Sequence, residues 1–326
     1  MKLSQIGERK AIKEISKILS DVDLTDDCAR VTIDDRYLLI STDLISEKTH
    51  MPKVMRPWQI GWFITAINLS DVAAKGGMPI GVLLALGLPR DLDENFLKEV
   101  IKGAKDCADK YNTEILGGDT KESEKITIAG TAFGIVSKKN YMPRLGIKPD
   151  DLIAVTGTLG KAALGYQILK NNVKGMEKFI KYLLEPKPRV KEGITLGKTL
   201  AVKASMDISD GLSSSLYQLS EINELGFEIY EKNLPIHPGI YTLKKKFPDL
   251  DEISLATNFG GEYELLLAIK PGKIDVVEKT LKKLRCKLTV IGKAIGGKKI
   301  YLVSNGKRKK MENKGYEHFK TVLDKI

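Results

Sequence analysis

The feature of this sequence that limits its possible folds most strongly is a set of six aspartates with apolar neighbours. They stand where a strand ends, where a helix begins or inside an apolar helix, in segments far apart along the chain: Asp27, Asp43, Asp71, Asp119, Asp207 and Asp210. A buried carboxylate is costly unless a cation or a hydrogen-bond donor satisfies it. The fold is therefore expected to bring these segments together around one cation site, and oxygen-only ligands favour a hard ion such as Mg²⁺.

Each aspartate taken singly also has an ordinary structural explanation. Asp26 or Asp27 could cap a turn, and Asp210 could cap the helix that begins at Gly211. Asp119 follows two glycines and could be a loop residue. Only the whole set favours a functional interpretation.

Length and composition indicate a folded protein of two domains. The chain has 326 residues, of which 42% are hydrophobic and 29% charged, so it can bury a core, and two domains are typical of this length. Residues 138–151 are rich in charge and contain proline and glycine, which indicates a boundary. We expect domains at 1–137 and 148–326.

Hydrophobic periodicity predicts an α+β fold. Helices are expected near residues 4–19, 57–76, 93–111, 160–170, 175–184, 189–202, 211–224 and 274–284. Strands are expected near residues 30–34, 37–42, 80–88, 152–157, 261–269, 288–294 and 299–303, and in the segments TEILGG and KITIAGTAFGIVS.

Several classes of protein do not fit the composition. No run of about 18 apolar residues occurs, so no membrane span is expected. The charged N-terminus lacks an apolar signal region, so a cytoplasmic protein is expected. The three cysteines are scattered without metal-ligand spacing, which argues against a disulfide framework and against a zinc site.

The net charge of +11 allows either nucleic acid or a polyanionic substrate as a partner. The lysines are spread over many helices. The one dense cluster, at 307–310, follows the turn signal Asn305-Gly306 and lacks interleaved aromatics. We therefore expect no nucleic acid as a partner.

Familiar phosphate-binding loops are broken or ambiguous. The segment from Gly193 to Thr199 has three residues between its glycines where a Walker loop requires four, and it lies in a helical pattern. The turn from Gly157 to Gly160 follows a strand and opens a helix. It could face a phosphate or could form only a tight turn.

Several segments together resemble one known family. In chain order they are LTDDCARV, STDLISEKTHM, INLSDVAAKGGMPIG, ILGGDT, DISDGL and GGEYELLL. Their order and spacing are similar to those of thiamine-monophosphate kinases, which belong to the superfamily of aminoimidazole-ribonucleotide synthetase and selenophosphate synthetase. The resemblance runs from the N-terminal helix to KGYEHF at 314–319, nearly the whole chain.

The resemblance implies ATP- and Mg²⁺-dependent phosphorylation of thiamine monophosphate to thiamine diphosphate. No general base is expected, because the acceptor is a phosphate oxygen that is already anionic near neutral pH. The implied Mg²⁺ ligands are Asp27, Asp43, Asp71, Asp119, Asp207 and Asp210, with Ser41 and Thr42 as minor ligands. The implied ATP residues are Tyr111, Gly118, Asp119, Arg144 and Ser209. The implied substrate residues are His50, Glu262 and Tyr316.

The resemblance also implies an architecture. The N-terminal mixed α/β domain would bind ATP and Mg²⁺, and its sheet would pair with a second copy in a dimeric β-barrel. ATP would lie at the interface of this homodimer. The C-terminal α/β layered domain would complete the substrate site.

Some alternatives remain open at this point. The usual family segment GGEDYEL lacks its aspartate here, which leaves open whether Glu262 or Glu264 faces the site. For His50 the alternative to substrate contact is a hydrogen-bonded loop residue, and for Tyr111 and Tyr316 the alternative is packing alone. The alternative functions are another ATP-dependent synthetase of the superfamily, such as aminoimidazole-ribonucleotide synthetase, and a nucleotide-binding protein without catalysis.

Overall fold

Two β-sheets with their helices make up this computed structural model, which describes residues 1–20 and 22–320. The last six residues of the predicted C-terminal domain, 321–326, lie outside the described residues. The first part of the chain contains α1 (Leu3–Ile18), β1 (Ala29–Ile33), β2 (Arg36–Ser46), α2 (Pro57–Ala74), β3 (Met78–Leu88), α3 (Glu94–Lys110), β4 (Ile115–Glu122) and β5 (Thr127–Ser137).

The first sheet has the order β1-β2-β5-β3-β4, with β3 and β4 parallel and all other neighbours antiparallel. Successive side chains on a strand point to opposite faces. In β5 every second residue is buried, because one face of the sheet packs against α2. The opposite face bears exposed apolar side chains, among them Leu44, Met78 and Leu83.

Helix α2 is the central element of the fold. Nearly every residue from Gln59 to Ala74 is buried, which is the pattern of a helix enclosed on all sides. It packs against the first sheet, against α3 and against elements of the second half of the chain. Helices α2 and α3 cross so closely that a Cβ at Gly61 or at Gly103 would lie 1.8 Å from a backbone oxygen of the other helix.

The second part of the chain supplies the other sheet. Its elements are β6 (Leu152–Thr156), α4 (Lys161–Lys170), α5 (Lys181–Leu184), α6 (Val190–Thr199), β7 (Val202–Asp207), α7 (Leu212–Asn223), β8 (Gly226–Tyr230), α8 (Pro238–Lys246), α9 (Glu252–Asn258), β9 (Leu265–Ile269), α10 (Ile274–Lys283), β10 (Leu288–Ile295), β11 (Ile300–Ser304) and β12 (Lys307–Lys310). The sheet order is β12-β11-β8-β10-β6-β9-β7. Strand β7 lies at the edge and contacts α2, so the end of β7 reaches the same region as the end of α2.

The α+β prediction is confirmed, with differences in particular elements. Within residues 1–20 and 22–320 neither sheet closes into a barrel. The helix predicted at 175–184 is wrong: a 3₁₀ turn at Glu177–Phe179 precedes the short α5, because Gly175 has φ +80° and Pro186 stops the helix. No helix of the described residues is long and apolar enough to cross a membrane.

Candidate active site

Five of the six predicted aspartates meet where α2, the first sheet and β7 come together. Asp43 lies on β2, Asp71 on α2 and Asp207 at the end of β7. Asp27 precedes β1 and Asp210 precedes α7. Carboxylate oxygens of Asp27, Asp71 and Asp207 lie within 4.8 Å of one another, a spacing that can hold a metal ion. These five residues are called the acid cluster below.

The acid cluster borders a cleft of about 1330 Å³. Its polar wall includes Asp43, Asp71, Asp207, Ser209 and Asp210. Elsewhere the cleft is lined by aromatic side chains: Phe63, Tyr166, Phe259, Tyr263, Tyr316 and Phe319. The cleft thus combines a strongly acidic region with flat apolar walls.

Burial and nearby negative charges raise the pKa values of four members of the acid cluster. Burial raises the pKa of Asp207 to about 7, and the neighbouring Asp27 adds to the effect. Burial and the charge of Glu8 raise the pKa of Asp43 and of Asp210 to about 6. The pKa of Asp71 lies well above its ordinary value because of burial and the nearby Asp43. A bound cation would relieve both causes.

Hydroxyl groups orient two of these carboxylates. Ser41 Oγ donates a hydrogen bond to Asp71, and Ser70 Oγ donates to Asp207 Oδ2 at 2.7 Å. Thr42 also lines the cleft, but its hydroxyl donates to the Gly130 carbonyl at 3.0 Å. Asp210 does not cap α7, whose N-cap is Gly211 without a side-chain cap.

Two cations bind a third member of the acid cluster, Asp27. Arg144 Nε donates to Asp27 Oδ1 at 2.9 Å, and its Nη2 contacts the same oxygen. Lys75 Nζ lies 2.6 Å from Asp27 Oδ2. Sequence reasoning missed Lys75, although a lysine directly after the apolar run of α2 is itself a signal.

His50 and Tyr316 line the cleft together with His318. The Nδ1 of His50 lies 2.7 Å from Thr49 Oγ1, and the His50 and His318 ring centroids are 5.4 Å apart. Burial and the neighbouring His318 lower the pKa of His50 to about 4, so its ring is neutral at physiological pH. Tyr316 Oη lies 3.2 Å from His318 Nδ1.

Comparison with known proteins decides the family. The family models described as AIR synthase related protein, N-terminal domain and C-terminal domain, match residues 25–136 and 148–305. The thiamine-monophosphate kinase of Methanospirillum hungatei is 36% identical over 96% of this chain and 99% of its own length. The chain belongs to the thiamine-monophosphate kinase family.

Other members of the thiamine-monophosphate kinase family are similar over comparable lengths. The enzyme of Methanocaldococcus jannaschii is 32% identical over 89% of this chain and 94% of its own length. The solved structure of AaThiL complexed with AMPPCP and TMP is 30% identical, with a TM-score of 0.88. That match covers 98% of this chain and 99% of the other.

Three residues that the family resemblance implies for ATP or metal lie apart from the acid cluster in the single chain. Asp119 and Gly118 are on the exposed edge strand β4, and Asp119 contacts only its neighbours Thr120 and Lys121 among the hydrogen bonds and ion pairs of the described residues. Tyr111 ends α3 and is half-buried, close to Arg189. Strands β5 and β3 separate β4 from β2, which carries Asp43.

Both acids of the altered segment GGEYEL point toward α4 and β6. Glu262 is buried and accepts a hydrogen bond from the Ala162 backbone N–H at 3.2 Å, at the start of α4. Glu264 accepts from Thr156 Oγ1 at 2.7 Å and from Arg189. The cleft is lined instead by the tyrosine between them, Tyr263. The Ala162 N–H at the start of α4 therefore already has a protein carboxylate as its acceptor.

A further acid at the cleft, Glu8, was missed by sequence reasoning. It lies on α1 and lines the cleft, where its charge acts on Asp43 and Asp210. The Glu8 backbone N–H donates to the His318 carbonyl at 3.3 Å, which ties α1 to the C-terminal segment. Gly7 has φ +75° and interrupts the helix. The glycine directly before Glu8 was the only sequence signal that could have drawn attention to this acid.

We expect the metal-free protein to lose stability as the pH rises from about 4 to about 7. Asp43, Asp207 and Asp210 have raised pKa values in the fold, so in this window these three carboxyl groups bind more protons in the folded state than in the unfolded chain. Rising pH therefore favours unfolding. Mg²⁺ should raise the melting temperature at pH 8 by at least about 3 °C more than at pH 5. Scanning fluorimetry at both pH values measures this, and equal shifts would contradict it.

Proposed function

We propose that this chain transfers the γ-phosphoryl group of ATP to the phosphate of thiamine monophosphate, giving thiamine diphosphate and ADP. The observation that carries the proposal is the acid cluster beside an aromatic-lined cleft. Family membership supports it, because the relatives are thiamine-monophosphate kinases and AaThiL was solved with AMPPCP and TMP. A cytoplasmic location goes with this proposal.

The acid cluster fits Mg²⁺. Its donors are carboxylate oxygens, three of them within 4.8 Å of one another, and burial together with neighbouring carboxylates raises the pKa values of Asp71 and Asp207. Mg²⁺ prefers such oxygen ligands. The residues proposed to hold it are Asp27, Asp43, Asp71, Asp207 and Asp210, with Ser41 and Thr42 as minor ligands. When bound, it would neutralise the phosphates of both substrates and stabilise charge in the transferring phosphoryl group.

The acceptor needs no general base from this chain. A phosphate monoester has a second pKa of about 6, so its oxygen is already anionic at neutral pH. The neutral ring of His50 suits a hydrogen-bonding role toward substrate better than proton abstraction. The task of the protein is to align two anionic substrates, and we assign Arg144 and Ser209 to the ATP side of the cleft.

The aromatic walls suit the flat rings of thiamine. Phe63, Tyr263 and Tyr316 line the cleft and offer faces or edges to a heterocycle. We propose that His50 and Tyr316 contact the substrate. Glu262 would act on the same side indirectly, by fixing the start of α4 behind Tyr263.

We expect Tyr316→Ala to weaken thiamine monophosphate binding about 10-fold and ATP binding by less than about twofold, because an aromatic contact of this kind is worth about 1.4 kcal/mol. Calorimetric titration with each ligand measures the two effects. Tyr241→Ala, which removes an exposed tyrosine of α8, is the matched control. Equal losses for the two ligands would argue that Tyr316 only packs the C-terminal segment.

We further propose that residues 1–137 bind ATP and Mg²⁺ and form a homodimer, and that residues 148–326 complete the substrate site. The uncovered apolar face of the first sheet supports this, since such patches mark interfaces. Pairing of two such faces would form the dimeric β-barrel. It would also bring Asp119, Gly118 and Tyr111 to ATP at the interface. Light scattering that gives the mass of one 36.1 kDa chain would contradict this part.

The choice of acceptor tests the proposed function. ADP release from ATP and Mg²⁺ is measured with thiamine monophosphate, with thiamine and without acceptor. We expect ADP with thiamine monophosphate only, because its phosphate oxygen is already anionic near neutral pH, whereas the hydroxyl of thiamine would have to lose a proton and the aspartates of the cleft are assigned to the metal. Equal rates with thiamine would indicate a hydroxyl kinase instead.

A further inference from the structure

Lys75 is a fully buried lysine at the end of α2. Its side chain has 0% exposure, and it is the largest fully buried side chain among the described residues. A lysine is almost never buried unless its charge is paired. The proposed mechanism does not use it, so its burial requires another explanation.

Three oxygen atoms surround the Lys75 ammonium group, which donates hydrogen bonds to Asp26 and to the Ser205 carbonyl and makes only an ion pair with Asp27. Nζ lies 2.5 Å from Asp26 Oδ1, 2.6 Å from Asp27 Oδ2 and 2.6 Å from the Ser205 carbonyl of β7. Burial alone would lower the pKa of Lys75, but Asp27 and Asp26 outweigh burial and raise it. Through these contacts the ammonium group links α2, the segment before β1 and β7.

The charges around Asp26 and Asp27 balance without any metal. Asp27 Oδ1 receives the Arg144 guanidinium, while Asp26 Oδ2 accepts from Tyr141 Oη at 2.5 Å. Two carboxylates thus face two cations, Lys75 and Arg144. In contrast, within residues 1–20 and 22–320 no lysine or arginine lies within ion-pair distance of the other members of the acid cluster: Asp43, Asp71, Asp207 and Asp210.

We propose that Lys75 is a positioning residue that serves as an internal cation, holding Asp27 in place and standing where a divalent ion would otherwise bind between Asp26 and Asp27. Divalent ions then bind at the uncompensated aspartates, and Asp27 reaches them only from its ion-paired position. The inference rests on the proposed function only in that divalent ions bind at the acid cluster.

Mn²⁺ titration, with free Mn²⁺ followed by its paramagnetic resonance signal, tests the inference without any turnover. Lys75→Met removes the charge and keeps a similar length, so we expect the variant to bind one more Mn²⁺ per chain than the unaltered protein. The double variant Lys75→Met/Asp26→Asn removes one positive and one negative charge, and we expect it to return to the original number of ions.

The same number and affinity of ions in all three proteins would overturn the inference. If Lys75→Met folds only when Mn²⁺ is present, judged by its circular dichroism, the inference is supported, because the ion replaces the lysine. If that variant stays unfolded in Mn²⁺ while the double variant folds, the inference fails, since a divalent ion cannot take the place of Nζ. Absence of Mn²⁺ binding to the unaltered protein would contradict the proposed function instead.

Discussion

Asp71→Asn should reduce phosphotransfer about 10²- to 10³-fold, the size of effect expected when a group that stabilises transition-state charge is removed. Asp71 lies between the other acids: its carboxylate oxygens are within 4.8 Å of those of Asp27 and Asp207, and Asp43 is its strongest charged neighbour. An amide keeps the shape and can still accept from Ser41, but it loses the charge that holds a cation. Asp43→Asn and Asp210→Asn should abolish activity for the same reason. Steady-state rates at saturating Mg²⁺ measure these losses.

The melting temperature of Asp71→Asn shows whether a loss of activity comes from the missing charge or from unfolding. Burial and like charges destabilise the Asp71 carboxylate, so without metal the Asp71→Asn protein should melt at the same temperature as the unaltered protein or higher. Asp35→Asn, at an exposed hairpin turn, is the matched control and should keep full activity. Near-normal turnover in any two of the variants Asp71→Asn, Asp43→Asn and Asp210→Asn would remove the argument for a metal-binding acid cluster.

Glu264→Gln should lower the free energy of unfolding by about 3 kcal/mol, the lower end of the cost of removing one partner from a buried ion pair. The Glu264 side chain is 1% exposed and binds Arg189 Nη2 at 2.6 Å, Lys161 and Thr156. Glutamine leaves both cations without this anion. The lower end applies because the Arg189 and Lys161 side chains retain 22% and 19% exposure. Urea denaturation followed by circular dichroism measures the change.

Glu94→Gln is the control for this measurement. It breaks an i,i+4 pair with Lys98 whose side chains are 78% and 65% exposed, and such pairs contribute about 0.3–0.5 kcal/mol. A loss at Glu264 no larger than the loss at Glu94 would mean that the buried ion pairs around α4 do not hold this part of the fold together.

The parts of the fold that local pattern determines were predictable. The helical periodicity of residues 57–76 predicted a helix there, and α2 spans Pro57–Ala74. Alternation in β5 and the apolar run of β3 predicted strands correctly. Asp43, Asp71, Asp207 and Asp210 could be named from sequence because a carboxylate among apolar neighbours needs a partner wherever it is buried.

The parts that depend on contacts distant in sequence were not predictable. Lys75 meets Asp26 and Ser205 across separations of 49 and 130 residues; the apolar run before it indicates that it is buried, but no local pattern identifies its partners. The Glu262 side chain points toward α4 because it accepts a hydrogen bond from the α4 backbone, 100 residues away in sequence. Asp119 differs for another reason: it is exposed on an edge strand, and its predicted role needs a surface that a single chain does not supply.

The central claim is that the acid cluster and the aromatic cleft together carry out metal-dependent transfer between two phosphates. Phosphorus-31 NMR of the protein with ATP, Mg²⁺ and thiamine monophosphate tests it most directly, beside a sample without acceptor and a sample of Asp71→Asn. We expect thiamine diphosphate and ADP to appear in equal amounts with the unaltered protein only. ADP without thiamine diphosphate, or equal product from Asp71→Asn, would contradict the claim.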